Sequence, residues 1–317
     1  MTGTRAGNGS HWVLGLAVGL GALAILFWPE RAYAWGPLAH IDFAASALEN
    51  LTGVPQVVRL LLEKCTSEYL YGALAADIIV GKNLAPYANH AHNWKVGFRV
   101  LEQGKGDAER AFAYGYLAHL AVDTIAHNYF VPYKIAVSYG RRRTGHAYWE
   151  MRFDQKLPKD TWQLARQVTR RAQRRHDHFL KKALVGAYVL PFGVSRRFFE
   201  TLLLSARLKK WQTMSKLVAA ERDMPFEHGE VRELKELAVA QVRDLLAHGE
   251  KARCTEADPA GLRNLRLAHD LRKRLAAAKA KGHAPDHATL VEIRAAFRHA
   301  IHGPLRLPPM HAIYRHA

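Results

Sequence analysis

Residues 118–150 read AHLAVDTIAHNYFVPYKIAVSYGRRRTGHAYWE, and they constrain the fold more than any other stretch. His119, Asp123 and His127 recur every four residues, so on a helix they share one slowly drifting stripe. Phe112, Tyr116, Leu120, Val122, Ile125 and Phe130 flank that stripe and make the helix apolar on most sides. Such a helix belongs in a core, where three polar groups are costly unless something pairs with them. His146 and Glu150 repeat the i, i+4 spacing. Imidazole and carboxylate in this pattern suit a divalent metal, with zinc the usual occupant. A lone His on an apolar helix is ordinarily a hydrogen-bonded core residue, but five such groups within residues 119–150 favour the metal.

The remaining pattern is helical. Ile41 to Leu51, Val54 to Lys64 and the almost wholly apolar Tyr69 to Val80 precede a loop-like stretch from Gly81 to Ala91. A helix through Gly97 and Leu101 follows, then a turn at Gly104 to Asp107, and the central helix begins near Ala108, with Pro132 expected to end it. Beyond Met151, amphipathic helices are expected over Thr161 to Lys182, Val194 to Ala219, Val231 to Lys251, Pro259 to Lys281 and His287 to Ile301, and Gly303 to Ala317 reads as a loose tail. No stretch alternates with period two, so the chain reads as all-α.

The first residues look like an export signal. Arg5 gives a positive start, Val13 to Trp28 is apolar, and Ala32-Tyr33-Ala34 is an A-x-A cleavage signature. Cleavage after Ala34 would make Trp35 the mature N-terminus and export the protein; an uncleaved anchor is less expected, because the apolar run is short for a membrane span. Residues 1–34 are thus read as a signal peptide, 35–155 as a metal core, and 156–317 as a basic helical extension, either packed on the core or a separate lobe. The charge supports that division: Lys and Arg number 13 against 11 Asp and Glu up to residue 150, and 33 against 17 beyond it. A surplus confined to one half suits an anionic partner such as a phospholipid surface or nucleic acid, or simply a solvated basic surface. Cys65 and Cys254, the two cysteines, could form one disulfide in an exported protein, and they lack the spacing of a Cys-based metal site.

Asp77 stands alone in the apolar run YLYGALAADIIV, where a carboxylate must be protonated or paired; pairing with a metal is expected. His90 and His92 lie just before Asn93-Trp94. The histidines of the second half, His176, His178, His228, His248, His269, His283, His287, His299, His302, His311 and His316, have no ligand spacing and read as surface residues.

Together, Trp35 behind a signal peptide, His40, Asp77, a His-x-His-Asn-Trp segment, the 119/123/127 stripe and the His146/Glu150 pair resemble the zinc-dependent phospholipase C family, whose fold is shared with single-strand-specific zinc nucleases. The resemblance covers roughly residues 35 to 150. It implies a multi-helix bundle around three zinc ions. One would take Asp77, His92 or His90, His119 and Asp123; His92 is preferred because it directly precedes Asn93-Trp94. A second would take His127, His146 and Glu150. The third would take the amine and carbonyl of Trp35, with His40 and a shared Asp123. Asp77 is a candidate general base as well as a ligand. Two spacings depart from the secreted bacterial phospholipases: Asp123 and His127 are closer, and so are Trp35 and His40, the latter as in the nucleases. The implied activity is metal-assisted phosphodiester hydrolysis of phospholipid, the basic half docking on anionic membrane, with no protein partner expected. A nuclease or nucleotidase, or a non-catalytic protein stabilised by zinc, are the alternatives. Arg141 to Arg143 could steer phosphate, and Tyr129, Phe130, Tyr133, Tyr148 and Trp149 could floor a lipid pocket or stack a base.

Overall fold

The computed structural model describes residues 35–78, 90–141, 145–169, 179 and 226–309. The signal-like residues 1–34, the expected helix at 194–219, Arg142, Arg143 and four of the second-half histidines (His176, His178, His311, His316) lie outside the described residues. Among the described residues, all regular structure is helical.

The first helix, α1 (Pro37–Leu48), begins four residues before the expected Ile41, so His40 is helical. Pro37 suits the first turn, where its missing N–H is not needed. The rest of the cap is remote in sequence. The Asp154 carboxylate accepts the Leu38 and Ala39 N–H groups at 3.3 and 3.0 Å, and Gly36 leaves room for it, since a Cβ there would lie 2.0 Å from Asp154 Oδ2.

After the short outer helix α2 (Gln56–Lys64) comes α3 (Thr66–Ala75), buried along nearly its whole length and extended by one 3-10 turn, Ala76–Ile78, that carries Asp77. Asn93 caps α4 (Trp94–Glu102) by accepting the Lys95 N–H. The central helix α5 (Asp107–Ile125) starts with Asp107 and Glu109 at its positive end, a favourable placement, and is almost wholly buried from Ala111 onward. It crosses α3 at very close range: a Cβ on Gly72 would lie 2.0 Å from the Phe112 carbonyl oxygen, and one on Gly115 1.8 Å from that of Tyr69.

Pro132 does not end the run. The chain passes through a π turn, Ala126–Phe130, directly into α6 (Val131–Val137). Proline's ring normally collides with the carbonyl four residues back and leaves it unbonded; a wide i→i+5 turn at that place removes the conflict. Then follow α7 (His146–Asp154), a helical stretch at 160–169, α8 (Glu230–His248), α9 (Leu262–Ala280) and α10 (His287–His299). The described helices of the second half lie on the first: α8 against α5 and α1, α9 against α6, and α10 against the π turn. The tail is less loose than expected through residue 309, because Leu305 is buried. No disulfide joins the two cysteines, which are both buried.

A buried ion pair joins α6 to α8. Lys134 Nζ lies 2.8 Å from both Glu230 carboxylate oxygens. Burial pulls the Lys134 ammonium below its ordinary range, and Glu230 opposes that shift. Breaking such a pair from one side strands a charge. Glu230→Ala is expected to lose about 3 kcal/mol of unfolding free energy in a denaturant titration, whereas replacing both partners by apolar residues should be near neutral.

Candidate metal centre

Asp123 is the hub of the first cluster. It sits on the last turns of α5, fully buried, with imidazoles arriving from three directions. His92 Nε2 lies 2.9 Å from Asp123 Oδ2, and His119 Nε2 lies 3.3 Å from the same oxygen. His40 Nε2 approaches Oδ1 at 3.4 Å. Asp77 closes the group, 3.4 Å from His92 and 3.7 Å from His40. Two overlapping ligand sets emerge, His40/His119/Asp123 and Asp77/His92/His119. His119 is aimed by the helix crossing: its Nδ1 donates to the Ala73 carbonyl at 2.8 Å, which places the proton on Nδ1 and turns an unprotonated Nε2 toward the carboxylates and His92 Nε2, 3.0 Å away. The close approach at Gly72 and Gly115 brings that carbonyl within reach.

The second cluster is His127, His146 and Glu150. His146 and Glu150 meet on one face of α7, 2.9 Å apart, and the His127 and His146 rings lie edge to face with centroids 4.9 Å apart. His127 rides on the π turn, whose wider spiral offsets part of the drift an α-helix accumulates over four residues. Its Nδ1 donates to the Pro259 carbonyl, which places the proton of the neutral ring on Nδ1. The His92 and His127 rings, 6.4 Å apart, bring the two clusters side by side.

This arrangement fits a cation. Both ring nitrogens of His40 and both oxygens of Asp123 are buried and make no hydrogen bond of sound geometry, although imidazole nitrogens stand within 3.4 Å of each Asp123 oxygen. Imidazoles and carboxylates crowded together with such atoms buried away from water are costly unless a positive ion sits among them. The protonation states agree. Burial, and next the neighbouring His119, holds His40 down at about 3. Burial alone would raise Asp123, but His119, His40 and His92 outweigh it and keep the carboxylate well below its ordinary range. Neutral imidazole and ionised carboxylate are the forms that bind metal.

A pH dependence follows for the metal-free protein. Unfolded His40 takes up its proton near 6.5, the folded residue only near 3. Between those values the unfolded chain binds the extra proton, so the stability that neutral His40 contributes is complete above pH 6.5 and is lost as pH falls toward 3. In calorimetric scans without zinc, Tm should fall more steeply from pH 7 to pH 4 in the wild type than in His40→Gln; parallel curves would contradict this.

The structure thus brings together His40, Asp77, His92, His119 and Asp123 in one cluster and His127, His146 and Glu150 in the other. His90 stands just outside, its Nδ1 accepting the His92 N–H at 3.1 Å. Trp35 is fully buried, stacked on Phe130 with centroids 4.8 Å apart, and its indole N–H donates to the carbonyl of Val122, next to Asp123. Tyr129, Phe130 and Trp149 are buried. Sequence reasoning misses Asp154, the cap of the helix that carries His40, although it continues the 146/150 series by one more i+4 step; burial pushes it up to about 7 against the two N–H groups it accepts. It also misses Asn128, the Asp258–Gly261 loop and Asn264, which surround His127.

A helical frame whose interior presents overlapping imidazole–carboxylate sets defines a class, that of helical proteins with a buried centre able to hold a cation. Residues 39–187 match the family model described as zinc dependent phospholipase C. That match supports the zinc-dependent phospholipase C family for this chain, with zinc as the cation and a hydrolase activity of phospholipase C type as what the family suggests. A protein described as uncharacterized, from Archaeoglobus fulgidus, is 31% identical over 112 residues. The matched stretch covers 33% of this chain and 29% of that relative's length. No solved structure matches.

Proposed function

We propose that the protein is an exported zinc-dependent phosphodiesterase that cleaves phospholipids in the manner of a phospholipase C. The observation that carries this reading is Asp123, a buried carboxylate whose two oxygens face three imidazole nitrogens at 3.4, 2.9 and 3.3 Å. Asp77, His92, His119 and Asp123 would hold one zinc, and His127, His146 and Glu150 a second. His40 and Asp123, with the freed amine and carbonyl of Trp35, would hold a third. Bound zinc supplies Lewis acidity at phosphoryl oxygens and a water acidic enough to attack at neutral pH. The residues supply the rest. Asp77, 4% exposed, is read as a zinc ligand or, in its other candidacy, as the carboxylate that takes the attacking water's proton on Oδ1 or Oδ2. The carbonyls of Ala73 and Pro259 keep the protons of His119 and His127 on Nδ1. Exposed Arg263, Arg266, Lys273 and Arg274 on α9 would meet anionic lipid. A base-stacking nuclease site draws no support from Tyr129, Phe130 or Trp149, since all three are core residues.

The test is hydrolysis by the mature protein of a chromogenic phosphocholine diester, phosphatidylinositol and single-stranded DNA, each with and without a chelator. Chelator-sensitive cleavage of a lipid-type diester is expected. Cleavage of DNA alone would overturn the substrate class, and zinc binding without any cleavage would make the ions structural. Among the described residues, no helix is long and apolar enough to cross a membrane.

The Trp35 assignment makes a further prediction. An α-amino group titrates near 8 and can bind metal as the neutral amine. A protein that keeps Ala34 in front of Trp35 should bind one zinc fewer by elemental analysis and lose most of its activity. Full zinc content in that protein would refute N-terminal ligation.

A further inference from the structure

We infer that the second half of the chain clamps the π turn to aim His127, with Asn264 as the positioning residue of that clamp; this rests on the proposed role of His127 as a zinc ligand. The π turn Ala126–Phe130 interrupts the regular α-helical bonding between α5 and α6, so its side chains need an outside reference. The second half supplies three consecutive ones. His127 Nδ1 donates to the Pro259 carbonyl. Asn128 Nδ2 donates to the carbonyls of Thr124 at 3.0 Å and Asp258 at 2.9 Å, while its Oδ1 accepts from Asn264 Nδ2 at 3.0 Å. The Tyr129 hydroxyl accepts from Arg294 Nε at 2.9 Å.

The loop that presents the Pro259 carbonyl is built for close approach. The Asp258 carboxylate accepts the N–H groups of Ala260 and Leu262 at 3.0 and 3.1 Å, and the Gly261 N–H donates back to the Asp258 carbonyl at 3.0 Å. Gly261 has φ +54°, and a Cβ on it would lie 2.4 Å from both Cβ and O of His127. Glycine is the residue that tolerates both conditions.

Asn264 governs this contact through one amide. Asn128 and Asn264 are both buried. The donation from Asn264 defines which end of the Asn128 amide is oxygen, and so turns the Nδ2 end toward Asp258. That bond holds the Asp258–Pro259 peptide at the distance His127 Nδ1 needs. Without Asn264, Asn128 loses the donor that orients it, the loop loses its register, and His127 loses the acceptor that keeps its proton on Nδ1.

The experiment is a competition titration of the zinc-loaded mature protein against a chromogenic chelator. Asn264→Ala should weaken one zinc by about 10–100-fold, the range for removing a group that orients a ligand, and leave the other ions unchanged. Circular dichroism should show the zinc-free variant folded. In a His127→Ala background, adding Asn264→Ala should change zinc affinity no further; an additive loss would make Asn264 a merely structural residue and overturn the inference. If His127→Ala loses a zinc but Asn264→Ala binds like wild type, the clamp is wrong and the ligand reading stands. If His127→Ala keeps every zinc at wild-type affinity, the ligand reading fails, and the clamp with it. Should Asn264→Ala not fold, Asn264→Ser, too short to reach Asn128, is read in the same assay with the same outcomes.

Discussion

Asp123→Asn is expected to abolish hydrolysis and to strip zinc from the protein. The substitution keeps the shape and removes the charge. With zinc present the loss should be large, because Asp123 faces His40 on one oxygen and His92 and His119 on the other, each closer than Asp77 approaches it. Zinc content should drop by more than one ion per chain. Lewis-acid stabilisation is worth several kcal/mol in metal hydrolases, so the rate should fall by about 10³-fold or more. Lost zinc paired with lost activity is the expected result. A variant that keeps its full zinc content would mean that Asp123 is an ordinary structural carboxylate.

Gly115→Val is expected to cost more than about 4 kcal/mol or to prevent folding, at the exceptional end of single substitutions. The obstacle is backbone: a Cβ would lie 1.8 Å from the Tyr69 carbonyl oxygen and 2.9 Å from the Ala73 nitrogen. No rotamer relieves that contact, so α3 and α5 would have to part. Because His119 lies one turn beyond Gly115 and borrows the Ala73 carbonyl, separation would also unfix His119 and move Asp77 away. Denaturant unfolding checks the first effect, and zinc affinity of any folded fraction checks the second. Gly106→Val, where a Cβ would meet nothing within 4 Å, serves as the control and should be tolerated far better.

Much of this centre is legible in the amino-acid sequence. His119 and Asp123, and again His146 and Glu150, are i, i+4 pairs, and helical geometry alone puts each pair on one face. Asp77 is visible because a lone carboxylate in an apolar run demands a partner. Spacing leaves His90 and His92 open; the structure turns His92 into the cluster and leaves His90 to accept the His92 N–H. Pro132 misleads because its usual meaning is a helix end, and a π turn that accommodates it has no simple sequence signature. The least legible parts are contacts to main chain. Ala73 and Pro259 act through carbonyls, which every residue has, so nothing in their side chains announces the role. Asn264 and Asp154 lie far along the chain from the residues they hold, and only the packing of the second half on the first, or of α7 on α1, gives them meaning.

The central claim is that imidazoles and acids from α1, α5, the π turn, α7, the turn after α3 and the segment before α4 enclose bound zinc. Anomalous scattering at the zinc edge from crystals of the zinc-loaded mature protein tests it most directly. The account predicts peaks among His40, Asp77, His92, His119 and Asp123 and a separate one at His127, His146 and Glu150. Zinc bound elsewhere on the molecule, with both clusters empty, would contradict it.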